Sequence, residues 1–202
     1  NFSLSTGKET FDAMTDLINQ GAQNIVLDLR DNPGGLLSAS LEILDLFFEK
    51  NLELVSTKGR NGKSIKSYKS LNNAVIPQEI DLVVLINGGT ASASEIVAGV
   101  LQDYDRAVVI GDQSFGKGLV QTVLGINQDT ALKITNSKYY IPSGRSIQKQ
   151  KFIDEELIAD KDAVSDSLFT TKSGRTVSGG GGITPDILIK DDGSYPLAAS
   201  AL

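Results

Sequence analysis

The strongest constraint on the fold is an alternation of short apolar runs with segments of helical spacing through the first two thirds of the chain. Apolar runs of strand length occupy residues 24–30, 80–86 and 106–111, and segments of helical spacing occupy 6–20, 36–50 and 91–102. Strands that alternate with helices in this way are joined by crossover connections and lie parallel in one sheet. The pattern predicts an α/β fold in which helices flank a mostly parallel sheet.

The remaining segments have strand-like character or are polar. Residues 52–69 contain turn signals and predict a hairpin, residues 119–126 and 131–141 predict two further strands, and 187–189 is a candidate final strand. Residues 149–182 are polar and rich in glycine near their end, so we expect a partly flexible insertion there, with a helix over 154–163.

The chain contains no histidine and no cysteine. A Ser-His-Asp triad, a thiolate nucleophile, a disulfide and a His-ligated metal are therefore all excluded within it. A hydrolase of this composition must take its base from Lys, Asp, Glu or Tyr. The net charge of −6 opposes nucleic-acid binding. The run 80–86 is far shorter than a bilayer requires, so no membrane span is predicted in this chain.

Residues 87–95 lead from the buried run 80–86 into a helix and carry three small hydroxyl side chains. A helix N-terminus offers free backbone N–H groups and a positive dipole end, which stabilise developing negative charge. A nucleophilic serine with an oxyanion hole uses this setting. Helix capping by Thr90, Ser92 and Ser94, with Glu95 completing a capping box from Ser92, explains the same residues, and the segment alone favours capping.

Residues 111–117 match the G-x-x-x-x-G-K pattern of phosphate-binding loops. However, Gly118 stands where that motif needs Ser or Thr, and the strand-like residues after it offer no helix N-terminus to a phosphate. A glycine-rich hairpin with a solvated lysine is the simpler interpretation. The alternative is that Lys117 activates a serine, which requires its amine to be neutral and therefore buried. Gln121 is placed to orient that amine.

Residues 28–35 end a predicted strand with a Pro-Gly-Gly turn. This turn would lie at the carboxyl edge of the sheet, where the ligand sites of α/β proteins are found. The backbone of Gly34 or Gly35 is therefore a candidate second oxyanion donor. A turn that requires positive φ explains the two glycines equally well.

Taken together, these segments resemble the carboxyl-terminal processing peptidases, also called tail-specific proteases. The matching stretches occur in the family's order over about residues 1–190, at 27–36, 90–99, 102–104, 114–121, 139–148 and 180–186. The resemblance implies that Ser92 is the nucleophile, Lys117 its general base and Gln121 the residue that orients the lysine. It also implies oxyanion donors at the Ala93 amide and at Gly34 or Gly35, with Gly34 preferred.

The resemblance further implies a crotonase- and Clp-protease-like layered core, a Ser-Lys dyad, an acyl-enzyme intermediate, and no metal or organic cofactor. Family members usually carry a PDZ domain before this core, so we expect residues 1–202 to be the catalytic core without it. The implied substrate is a protein or peptide with an accessible C-terminal tail. The implied location is extracytoplasmic, in the bacterial periplasm or cell envelope. Relatives of this core also bind peptides or apolar ligands without cleaving them, so a non-catalytic binding module is the alternative. The sequence does not predict the oligomeric state.

Overall fold

A computed structural model describes residues 1–59, 62–127, 129–149, 151–153, 156–158 and 167–189. Within these residues the chain forms three α-helices: α1 Thr6–Asn19, α2 Leu37–Asp45 and α3 Ala93–Asp103. It also forms twelve strands: β1 Asn24–Asp28, β2 Glu53–Lys58, β3 Ser64–Lys69, β4 Asp81–Ile86, β5 Val108–Gly111, β6 Leu119–Gly125, β7 Ala131–Tyr140, β8 Lys151–Ile153, β9 Glu156–Ile158, β10 Leu168–Thr170, β11 Thr176–Ser178 and β12 Ile187–Leu188. No helix in this part of the chain is long and apolar enough to cross a bilayer.

The predicted parallel sheet is confirmed and consists of β1, β4, β5 and β12 in that spatial order. All three neighbouring pairs are parallel, and β4 lies in the centre with Val84 opposite Leu27 and Val109. Val84 and Val109 are fully buried, as is Ile86. This burial explains why β4 is apolar along almost its whole length, since central strands of parallel sheets are covered by crossover helices.

The helix α3 occupies the centre of the molecule. All eleven of its residues are buried. Eight of them are apolar or small, which suits a helix that is covered on all sides. It packs against α2, against β5 of the parallel sheet and against β2 of a second sheet. The second sheet is antiparallel, with the order β3-β2-β7-β6. The layered α/β core expected from the resemblance is therefore present.

The short-range strand predictions are confirmed, because residues 52–69 contain the β2–β3 hairpin and residues 119–141 contain the β6–β7 hairpin. The helix predicted over 154–163 is wrong at residues 156–158, the part of this range that the structure describes. Residues 156–158 form β9, which pairs with β8 in an antiparallel hairpin. The rest of that predicted helix, residues 154–155 and 159–163, lies outside the described residues. Polar composition alone did not distinguish a short hairpin from a surface helix.

Candidate active site

Ser92 lies at the turn between β4 and α3, where its backbone is held in an unusual conformation. Its φ is 57° and its ψ is −116°. Residues other than glycine rarely adopt positive φ, and such strain is concentrated at functional sites. Ser92 is also the N-cap of α3 and forms a capping box with Glu95. The capping interpretation is therefore confirmed for Ser92, which also stands on a strained strand-to-helix turn.

Gly34 packs directly against the Ser92 turn. Its φ is +86°, and a Cβ atom at this position would lie 2.5 Å from Ala91 O and 2.7 Å from Ala93 N. Only glycine leaves room for so close an approach between the two turns. The Pro-Gly-Gly turn that contains Gly34 is also held by Phe2, whose N–H donates to Gly34 O at 2.9 Å. The structure therefore brings the Pro-Gly-Gly turn to the serine, as the two sequence segments predicted.

The amides predicted as oxyanion donors differ in their present hydrogen bonds. Ala93 is the first residue of α3, and among the described residues its N–H has no hydrogen-bond acceptor. The Gly34 N–H donates to Asn32 Oδ1 at 3.0 Å. The Gly35 N–H has no acceptor in the described part of the chain. Two of the three candidate donors are therefore available to an added acceptor, and the third is occupied by a side chain.

The turns after β1 and β4 are joined by polar side chains, because the carboxyl ends of these neighbouring parallel strands meet at one edge of the sheet. Asn87 Nδ2 donates to Asp31 Oδ1 at 3.0 Å, and the Asp31 N–H donates to Asn87 Oδ1 at 2.9 Å. The buried Thr90 hydroxyl donates to Leu29 O at 2.7 Å. These hydrogen bonds fix the position of the Pro-Gly-Gly turn relative to the Ser92 turn.

Glu95 is the residue whose role at this site the sequence did not reveal beyond helix capping. Its side chain is completely buried. Oε2 accepts the backbone N–H groups of Ser92 at 2.7 Å and Lys117 at 2.8 Å. Oε1 accepts the Ser114 hydroxyl at 2.5 Å and the Gly116 N–H at 2.7 Å. One carboxyl group therefore connects the serine turn to the loop that carries the lysine.

The environment of Glu95 has opposing effects on its pKa. Burial raises the pKa because it disfavours the charged form, and the four hydrogen bonds lower it because they stabilise the carboxylate. Burial is the larger effect, so the pKa of Glu95 lies above its ordinary value of 4.5. A signal for this role was present in the sequence. In the first two turns of α3, Glu95 is the one charged residue, and the others are apolar or small.

The backbone of the lysine loop, residues 114–118, is anchored on several sides. The Phe115 N–H donates to Thr90 O at 3.0 Å, and the Lys149 N–H donates to Gly116 O at 2.8 Å. The Gly118 N–H donates to Gln148 Oε1 at 2.8 Å. Segments 139–148 and 180–186, which the resemblance singled out, supply part of this support. Ser114 Oγ, for example, accepts the Ile183 N–H at 2.6 Å.

The side chain of Lys117 is exposed, so the expectation that its amine is buried is not met in this structure. In the part of the chain that is described, no hydrogen bond joins Lys117 Nζ to Ser92 Oγ or to Gln121. Gln121 is also exposed, and its Nε2 donates to Thr135 Oγ1 at 3.3 Å. The physical reason is that the buried contacts of this loop are made by its backbone, which leaves the lysine side chain facing solvent.

Ser92 and Lys117 are nevertheless close through their backbones. Because both N–H groups donate to the same oxygen of Glu95, the two nitrogen atoms are separated by no more than two hydrogen-bond lengths. Lysine has a flexible four-carbon side chain. The position of the amine relative to Ser92 therefore depends on the rotamer of the Lys117 side chain.

A family model and two curated relatives assign this chain to the same family of proteases. The model of Peptidase family S41 matches residues 1–158. A carboxy-terminal-processing protease of Bartonella bacilliformis is 51% identical over 123 residues, which cover 61% of this chain and 28% of that protein. A carboxyl-terminal-processing protease of Synechocystis sp. is 40% identical over 157 residues, which cover 78% of this chain and 36% of that protein. The chain thus spans about a third of the length of these curated relatives.

Solved structures give the same picture of the fold. The structure of a photosystem II D1 C-terminal processing protease matches with a TM-score of 0.73 at 29% identity, covering 95% of this chain and 41% of that one. A putative S41 protease from Bacteroides fragilis matches with a TM-score of 0.57 at 18% identity, covering 96% of this chain and 44% of that one. The second similarity is one of fold.

Proposed function

The chain belongs to peptidase family S41, and on that premise we propose that it is the catalytic core of a serine endopeptidase that cleaves proteins near their C-terminus. The observation that carries the proposal is the shared carboxyl group of Glu95, which brings the Ser92 turn and the Lys117 loop together. The strained backbone of Ser92 at a helix N-terminus supports its assignment as the nucleophile.

In the proposed reaction, the neutral amine of Lys117 takes the proton of the Ser92 hydroxyl as Oγ bonds to the peptide carbonyl carbon. Lys117 then gives that proton to the leaving amine as the C–N bond breaks, which leaves an acyl-enzyme. Water hydrolyses this ester, with Lys117 acting again as the base. The Lys117 side chain must turn inward for these steps, and substrate that covers the site supplies the desolvation a neutral lysine requires. Gln121 orients the amine in that position.

The developing oxyanion is stabilised by the Ala93 N–H and by one glycine N–H of the Pro-Gly-Gly turn. Gly34 lies nearest the serine, but its N–H must first give up Asn32 Oδ1. The Gly35 N–H carries no such bond in the described residues, which supports it as the alternative donor. By the resemblance, the protein acts outside the cytoplasm, in the bacterial periplasm or cell envelope, on substrates with an accessible C-terminal tail.

The proposal is tested by replacing Lys117 with alanine. We expect cleavage of a tailed protein substrate to be abolished and the fold retained, because the side chain of Lys117 is exposed. Lys63→Ala, which removes another exposed lysine, is the matched control and should cleave normally. Cleavage by the Lys117→Ala variant at the wild-type rate would disprove the dyad.

A second function has one observation in its favour. The exposed position of Lys117, with no described hydrogen bond to Ser92, is what a non-catalytic peptide-binding module would show. A fluorophosphonate probe, which bonds covalently to activated serines, separates the two functions. Labelling of Ser92 that is lost in the Lys117→Ala variant supports the peptidase, whereas peptide binding without labelling supports the binding module.

A further inference from the structure

The hairpin formed by β2 and β3 is basic, although the chain as a whole is acidic. Residues 54–78 contain five Lys or Arg residues and no Asp or Glu. Because the net charge of the chain is −6, all the other residues together carry −11. A separated charge of this size makes a local positive potential that acts over about 8 Å at physiological ionic strength. The hairpin can therefore attract an anionic partner that the rest of the molecule repels.

The lysines of β3 lie at the outer edge of the antiparallel sheet. In the order β3-β2-β7-β6, β3 is the first strand, and in the described part of the chain it pairs with β2 alone. Lys66 and Lys69 are exposed, and neither is in an ion pair of the described residues. Since they are three residues apart on a strand, they project from opposite faces of the sheet. An anionic surface that meets the sheet edge-on is therefore within reach of both flexible side chains.

Edge lysines also prevent pairing with another chain, and this is the simpler role for Lys66 and Lys69. Ile65 is not explained by that role. Its side chain is 61% exposed and lies beside Gly59, where its Cδ1 is 3.2 Å from the position that a Cβ would take. An exposed isoleucine on an edge strand favours pairing, which edge protection opposes. The hairpin thus combines an exposed apolar side chain with a cluster of positive charge.

This combination fits the surface of an anionic bilayer. Lysine ammonium groups bind the phosphates of lipid headgroups, and apolar side chains enter the boundary between headgroups and acyl chains. An acidic protein surface would pair with the lysines but, being charged, is a poor partner for Ile65. We propose that the β2–β3 hairpin docks edge-on to a membrane that contains anionic phospholipids, with Ile65 at that boundary. The proposal concerns a surface outside the candidate active site and does not depend on the proposed function.

Vesicle sedimentation tests the proposal directly. Vesicles of equal parts phosphatidylglycerol and phosphatidylcholine are compared with vesicles of phosphatidylcholine alone, and the free and bound protein are measured. We expect binding to the anionic vesicles only, and we expect that binding to weaken as salt is raised, because salt screens the lysine charges. No binding to the anionic vesicles, or equal binding to both kinds, would overturn the proposal.

Two double variants separate the charge of the hairpin from the charge of the whole chain. Lys66→Gln/Lys69→Gln removes two lysines of β3. The control, Lys8→Gln/Lys172→Gln, removes two exposed lysines elsewhere and gives the same net charge. Each lysine near an anionic membrane contributes about fivefold to the binding constant, so we expect the β3 variant to bind about thirtyfold more weakly and the control to bind within about twofold of the wild type. Equal binding of the two variants would contradict the proposal.

Replacement of Ile65 tests the choice of a bilayer as the partner. Ile65→Thr keeps a β-branched residue that suits a strand but removes most of the apolar surface. We expect it to weaken vesicle binding about fivefold at every salt concentration, because burial of apolar area does not depend on charge screening. Circular dichroism should show that all these variants are folded, since the replaced side chains are exposed. Vesicle binding that Ile65→Thr leaves unchanged would overturn the placement of Ile65, and with it the argument for a bilayer over an acidic protein surface.

Discussion

Replacement of Glu95 by glutamine is expected to lower the free energy of unfolding at neutral pH by about 1–3 kcal/mol and to loosen the loop that carries Lys117. The change keeps the size of the side chain but exchanges one acceptor oxygen for an NH₂ group. All four partners of Glu95 are donors in the structure, three of them backbone N–H groups. The amide therefore cannot satisfy every partner that the carboxyl group satisfies.

The magnitude follows from the two orientations open to the amide. With Nε2 in place of Oε2, the NH₂ group faces the N–H groups of Ser92 and Lys117, neither of which can accept. With Nε2 in place of Oε1, it faces the Ser114 hydroxyl, which can turn and accept, and the Gly116 N–H, which cannot. The second orientation is preferred because Nε2 then has an acceptor. It still leaves the Gly116 N–H and the Ser114 O–H without the acceptor they have in the wild type, and the unpaired buried N–H alone costs about 1–3 kcal/mol.

Urea unfolding and hydrogen exchange measure the two effects separately. The free energy of unfolding should fall in Glu95→Gln, and the Gly116 amide should exchange faster than the Ser92 amide, since only Gly116 loses its acceptor. Glu79→Gln, at an exposed glutamate, is the control for loss of a charge. If Glu95→Gln unfolds at the wild-type urea concentration and the Gly116 amide remains as protected, the reasoning about the shared carboxyl group is refuted.

Further predictions concern pH, the glycine turn and a buried ion pair. Burial raises the pKa of Glu95, so the part of its stabilisation that arises from this shift is present below pH 4.5 and is lost as the pH rises through the folded pKa. The difference in unfolding free energy between wild type and Glu95→Gln should therefore narrow over that rise toward the value of about 1–3 kcal/mol expected at neutral pH, and a constant difference would contradict it. Gly34→Ala places a Cβ atom 2.5 Å from Ala91 O at a φ of +86°. It should lower the free energy of unfolding in urea by at least about 1–3 kcal/mol and slow the fluorophosphonate labelling of Ser92. An unchanged free energy of unfolding and labelling rate would show that the two turns can separate freely. Arg145 and Asp103 form a fully buried ion pair at 2.8 Å. Arg145→Leu should lower the free energy of unfolding by about 3–5 kcal/mol, because Asp103 is left buried without its cation. A second change, Asp103→Asn, should recover part of that loss, and no recovery would contradict the reasoning.

Local patterns were sufficient for the elements of the fold and for two parts of the site. The apolar run of β4, followed by glycines and small hydroxyl residues, predicted the strand-to-helix turn at Ser92, because burial and helix initiation depend on neighbouring residues. The turn at Gly34 was likewise visible as a Pro-Gly-Gly sequence after a strand. The absence of histidine limited the base of a hydrolase to Lys, Asp, Glu or Tyr, and Lys117 was a candidate among them because glycines flank it.

The spatial relations between these segments could not be obtained from local patterns. The four hydrogen bonds of Glu95 join segments that are distant in the chain, and nothing in the spacing of residues reports such contacts. The exposure of Lys117 depends on which groups of its loop are anchored, and the hairpin of β8 and β9 depends on pairing between strands. Composition and periodicity therefore determined which residues are available for chemistry. Long-range packing determined which of them meet, because burial and hydrogen bonding are properties of the folded chain.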